Sequence, residues 1–104
     1  MEQLQLIKRA IEVRNGGEKA ALASIIRTKG STPRKAGSRM IIFDCGKIEG
    51  TVGGGCGEAA VIEKAFEVIQ SNLPAQHRVD LTSGLLYEDG GICGGIMDVF
   101  IEPL

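Results

Sequence analysis

The chain has 104 residues, enough for one domain with a single core and little margin. Its hydrophobic share is 43%, its charged share 24% and its formal net charge -1, so the overall balance gives no drive toward nucleic acid or an anionic membrane. No apolar run reaches the roughly 18 residues of a membrane span, and Met1-Glu2-Gln3 lacks the basic-then-apolar order of a secretory leader, so the expectation is a cytoplasmic protein.

Residues 3–14 read as an amphipathic helix, with Leu4, Ile7 and Ile11 on one face and Leu6, Ala10 and Val13 beside it. Asn15-Gly16-Gly17 stops it. Ala20 to Arg27 is apolar on both faces, which predicts a central strand. A basic loop over 28–38 precedes a strand over 39–43, a turn at Asp44-Cys45-Gly46-Lys47 and a returning strand over 48–52. A second helix follows Glu58 and runs to about Ser71, with Ile62, Ala65, Phe66 and Ile69 on its packing face. A short strand over 77–81, a loop over 82–93 and a strand over 96–102 close the chain. These elements predict an α/β fold: one small domain over 1–104 with two helices and about five strands, in the order αβββαββ. Because one strand pair is a hairpin, the sheet is expected to be mixed rather than fully parallel.

Aromatic residues are only 4%, with no Trp, so the core must come from Ile, Val, Leu and Ala. The 15 glycines are uneven and concentrate at 50–57 and 90–95. Three cysteines, an odd number in a chain read as cytoplasmic, argue for reduced thiols rather than a disulfide framework.

Two of those cysteines sit in the glycine clusters. Gly53-Gly54-Gly55-Cys56-Gly57 opens the second helix. Glycines let backbone amides approach a ligand, the helix start adds positive partial charge, and a cysteine there gains thiolate character. Taken alone, the run equally fits a tight strand-to-helix turn with Cys56 as a small buried residue. Gly90-Gly91-Ile92-Cys93-Gly94 repeats the pattern Gly-Gly-x-Cys-Gly, which points to two cysteines presented to one site. Cys45 lacks such surroundings and is expected to lie elsewhere. The loop Thr28-Lys29-Gly30-Ser31-Thr32-Pro33-Arg34-Lys35, flanked by Arg27 and Arg39, mixes hydroxyls with cations as an oxyanion site does, although a solvated basic loop looks the same. If it is a site, Lys29, Arg34 and Lys35 should approach the Gly53–Gly57 turn.

Other patterns are weaker. Gly55-x-Gly57-x-x-Ala60, with Asp80 downstream, matches a relaxed dinucleotide fingerprint, but the strand before it contains Glu49 and Gly50 and is a poor central strand. Cys56, Cys93 and His77 lack the close pairs of a structural metal site, so no metal ligands are assigned. The residues leave three functions open: a cofactor-binding chaperone, a sulfur-transfer enzyme with Cys56 carrying a persulfide, and a nucleotide-binding module.

The stretches from Arg27 to Arg34, from Gly50 to Glu58, and Cys93-Gly94-Gly95 followed by Val99-Phe100-Ile101-Glu102-Pro103 resemble the N-terminal domain of the XdhC/CoxI family. The resemblance covers about Ala21 to Pro103. It implies a maturation factor, a chaperone rather than a turnover enzyme. Such a factor binds molybdenum cofactor transiently, as molybdopterin or its dinucleotide form. It assists sulfuration or insertion of that cofactor into xanthine dehydrogenase-type or carbon monoxide dehydrogenase-type enzymes. Cofactor-binding residues would be Cys56 and Cys93, the amides of Gly53, Gly54, Gly55 and Gly57, and Ser31, Thr32, Arg34 and Lys35. Thiolates suit the soft molybdenum–sulfur centre, and the amides and basic loop suit the phosphate. Implied partners are a molybdenum hydroxylase apoenzyme and a cysteine desulfurase, and a homo-oligomer is left open. Many members continue into a C-terminal Rossmann-like domain. This sequence ends at Leu104, so a stand-alone member and a half completed by a separately encoded Rossmann-like partner are both open.

Overall fold

A computed structural model describes residues 3–32, 34–52, 57–80 and 94–104. Its elements are α1 (Gln3–Gly16), β1 (Ala20–Lys29), β2 (Arg39–Phe43), β3 (Ile48–Gly50), α2 (Glu58–Ser71), β4 (Ala75–Asp80) and β5 (Ile96–Pro103). The five strands form one sheet in the order β3-β2-β1-β5-β4. The α/β class, the two helices and the order of elements are as expected.

The sheet is not mixed. All four described pairings are antiparallel. A hairpin does join β2 to β3, and α2 does link two strands of the same direction, β3 and β4. Those two strands stand at opposite edges of the sheet. A helical crossover makes a parallel ladder only when it returns beside its starting strand, and α2 instead crosses the whole sheet.

β1 is central because both of its faces are apolar. Ala21, Ala23 and Ile25 point to one face, together with Met40 and Ile42 of β2 and Met97, Val99 and Ile101 of β5. α2 covers that face with Val61, Ala65 and Val68, while Ile62, Phe66 and Ile69 pack at its margin. The helix ends at Asn72, a left-handed residue whose N–H donates to the Val68 carbonyl at 2.8 Å.

α1 packs on the opposite face, over β2 and β1. Its buried residues are Leu6, Ala10 and Val13, set against Ala20, Ile41 and Phe43. Of the two adjacent apolar stripes, Leu4, Ile7 and Ile11 turn outward, with Leu4 56% and Ile11 54% exposed. Both stripes have helical spacing. Leu6 wins because it reaches the fully buried interior, and Arg9, on the flank of that stripe, closes onto Glu49 of β3 at 3.1 Å. Among the described residues no helix is long and apolar enough to cross a membrane.

Candidate functional site

The direction of the strands decides where the motifs meet. β1, β3 and β4 run one way, and β2 and β5 the other. The ends of β1, β3 and β4 and the starts of β2 and β5 therefore share one end of the sheet. The basic loop leaves β1 and enters β2 at this end. Val52 and Gly57, which flank residues 53–56, lie here, as do Asp80 and Gly94, which flank 81–93. In strand order the basic loop sits between the two. Gly53, Gly54, Gly55, Cys56 and Cys93 themselves fall outside the described residues.

The basic loop touches both neighbours. Toward β5 its backbone crosses Gly95. A Cβ on Gly95 would fall on the Ser31 carbonyl oxygen, 2.7 Å from Thr32 Cγ2 and 2.8 Å from the Lys29 carbonyl oxygen, so no side chain fits there. Gly94 also approaches the loop, less closely, with its carbonyl oxygen 3.2 Å from a Cβ built on Gly30. Ser31 and Thr32 are thus packed against Gly95, two residues beyond Cys93 in the sequence. Toward β3, Arg34 and Ser38 line a cleft of about 320 Å³ with Gln3, Gly50 and Thr51. Thr32 Oγ1 donates to the Arg34 carbonyl at 2.8 Å, and Ile25 and Gly37 pair across the loop base through Ile25 N–H to the Ser38 carbonyl at 2.9 Å and Gly37 N–H to the Ile25 carbonyl at 2.8 Å. Ser31, Arg34 and Lys35 are exposed and Thr32 is half-buried.

Both helices begin at this end. Gly57 is the N-cap of α2 at φ 74°, with no side-chain cap, a conformation that costs glycine little. Thr51 Oγ1 donates to Glu58 Oε2 at 2.8 Å and ties together the two flanks of the first glycine run. Helix starts carry positive partial charge. Arg27, Lys29, Arg34, Lys35, Arg39 and Arg78 also lie at this end, against Glu58, Asp80 and Asp98 among the described carboxylates. A chain of net charge -1 therefore gathers cations beside the described flanks of its two glycine motifs.

Arg78 and Asp98 were not singled out by the sequence reading. Asp98 of β5 is 2% exposed, beyond the strands β1 and β2 on which α1 packs. Arg78 grips it from β4, Nε to Oδ1 at 2.9 Å and Nη2 to Oδ2 at 3.4 Å, and Arg27 reaches it from β1 at 3.5 Å. The hydrogen bond from Arg78 holds the Asp98 carboxyl below its ordinary range, helped by the charges of Arg78 and Arg27 and opposed by burial. The register skips Ile26 between Ile25 and Arg27, and this bulge turns Arg27 toward Asp98.

Cys45 is exposed in the β2–β3 turn, at the other end of the sheet. It borders a separate cleft with Arg9, Lys19, Phe43 and Lys47. His77 faces Val99 in the β4–β5 register as an ordinary strand residue.

Residues 13–80, more than half of the chain, match the model of the XdhC and CoxI family. The chain belongs to that family. Among relatives of this XdhC and CoxI family member, YqeB of Escherichia coli K12 is 37% identical over 82 residues, covering 79% of this chain and 15% of YqeB. The molybdenum cofactor insertion chaperone PaoD of the same organism is 32% identical over 66 residues, covering 64% of this chain and 21% of PaoD. A crystal structure of a xanthine dehydrogenase from Bacillus halodurans superimposes with a TM-score of 0.83 at 31% identity, over 99% of this chain and 30% of that one. The chain thus spans less than a third of each of these proteins.

Proposed function

We propose that this chain is the cofactor-contacting part of a maturation factor that binds molybdenum cofactor as cargo and passes it to a xanthine dehydrogenase-type hydroxylase. The observation that carries this reading is the meeting, at one end of the sheet, of the basic loop with the described flanks of both cysteine motifs. Family membership and the name of PaoD support molybdenum cofactor as the cargo.

The division of labour follows from the chemistry of each group. The amides of Gly53, Gly54, Gly55 and Gly57, with Ser31, Thr32, Arg34 and Lys35, hold the phosphate. Cys56 and Cys93 meet the molybdenum–sulfur centre or a sulfur passing to it, because a soft thiolate matches a soft site. Binding is transient, since a chaperone must release its cargo. No group within the described residues needs to turn over. A hydroxylase apoenzyme receives the cofactor, and a cysteine desulfurase supplies sulfur. A separately encoded Rossmann-like partner would complete the site.

Alkylation tests this reading. Cofactor should protect Cys56 and Cys93 from a thiol probe while Cys45, at the opposite end, reacts at an unchanged rate. Equal reactivity of all three cysteines with and without cofactor contradicts it.

A further inference from the structure

We propose that the cleft above Asp98, between Arg27 and Arg78, is an oxyanion subsite that takes a phosphate or diphosphate group of a larger ligand held by the neighbouring loop. The cleft measures about 170 Å³ and is lined by Arg27, Thr28, Lys29, Arg78, Ile96 and Asp98. At roughly 30 Å³ per molecule this is the space of five or six waters. Its cationic lining and modest size suit a phosphate or diphosphate group.

The arrangement of charge is unusual for a purely structural ion pair. Asp98 is buried, while the two arginines that pair with it are themselves 63% and 71% exposed. Burying a carboxylate is a poor way to gain stability, since apolar side chains of similar size do as well. What the carboxylate achieves is orientation. It holds two guanidinium groups from strands on either side of β5 toward one cleft. Arginine has five N–H donors. The bonds to Asp98 engage two nitrogens of Arg78 and one of Arg27, and the exposure of both side chains opens the other donors to the cleft. Such planar forks match phosphate oxygens.

The surrounding charges leave the site cationic. Arg27, Lys29 and Arg78 face Asp98 and, further along β4, Asp80, an excess of one positive charge. The subsite adjoins the glycine crossing. Lys29 lines it and also contacts Gly95, and Ile96 follows directly. A ligand seated against Ser31 and Thr32 can thus extend a phosphate-bearing end over β5. The proposal rests on the cofactor reading only for the identity of that ligand.

Amide and arginine Nε–H NMR shifts during titration with pyrophosphate and with a nucleoside diphosphate test it. The expected result is saturable shifts at Arg27, Lys29, Arg78 and Ile96. The nucleoside diphosphate should bind more tightly than pyrophosphate and shift Ser31 and Thr32 as well. The double variant Arg27→Gln, Lys29→Gln keeps the Arg78–Asp98 pair and the fold, and should weaken both ligands by at least about tenfold. Unchanged affinity in a variant of unchanged melting temperature overturns the subsite. Shifts confined to residues 31–38 and Gly57 overturn it too, while leaving the cofactor reading in place. If inorganic phosphate displaces the nucleoside diphosphate at equal concentration, the site serves free phosphate and the larger-ligand claim fails.

Discussion

Gly95 lies against Ser31 with no room for a methyl group between them. This contact joins the start of β5 to the basic loop, at the Ser31 carbonyl and the Thr32 methyl group. Gly95→Ala should therefore force the two segments apart. We expect a loss of about 1–3 kcal/mol in urea unfolding, the usual cost of overpacking, together with altered amide shifts at Lys29, Ser31 and Thr32. Retained stability and unchanged shifts would show that the crossing is loose.

The two apolar stripes of α1 make opposite predictions. Leu6 is fully buried against β2, so Leu6→Ala should cost about 2–5 kcal/mol, a large part of the roughly 5–15 kcal/mol that holds a domain folded. Ile11 is 54% exposed, so Ile11→Ala should change stability by no more than about 0.5 kcal/mol. Chemical denaturation of the two variants decides between the stripes, and equal losses would contradict the packing.

Asp98 should make the fold acid-sensitive. Its carboxyl is held below the ordinary value of 3.8 by the hydrogen bond from Arg78. As pH falls, the unfolded chain takes up this proton before the folded one does. The contribution is therefore complete above the unfolded value and is lost as pH drops through 3.8 and below. Urea midpoints measured between about pH 5 and about pH 2 should fall more steeply for the native sequence than for Asp98→Asn. Parallel curves would mean that Asp98 is not anchored as described.

Much of this was legible from local pattern, and the rest depends on pairing at long range. The apolar run from Ala20 to Arg27 shows its central place, and the run after Glu58 shows its helix, because both signals lie within a few residues. The facing of α1 is not written there. Leu4, Ile7 and Ile11 have as good a spacing as Leu6, Ala10 and Val13, and only the sheet beneath chooses. The antiparallel sheet was missed because nothing near α2 says that it lands beyond β5 rather than beside β3. Arg27, Arg78 and Asp98 come from three strands and meet only through the β4–β5 register and the bulge at Ile26. The motifs were visible as composition, and the shared end of the sheet where Val52, Gly57, Asp80 and Gly94 flank them follows from strand direction.

The most direct test of the cofactor reading is titration of the purified protein with molybdenum cofactor, followed by absorbance, in the native sequence and in the Cys56→Ser, Cys93→Ser double variant. The account predicts saturable binding to the native protein and binding at least about tenfold weaker to the variant, the scale of one lost strong contact. A metal-free phosphate analogue should bind both equally, since the amides and the basic loop are intact. Undiminished binding of the molybdenum-containing cofactor by the double variant would contradict the account.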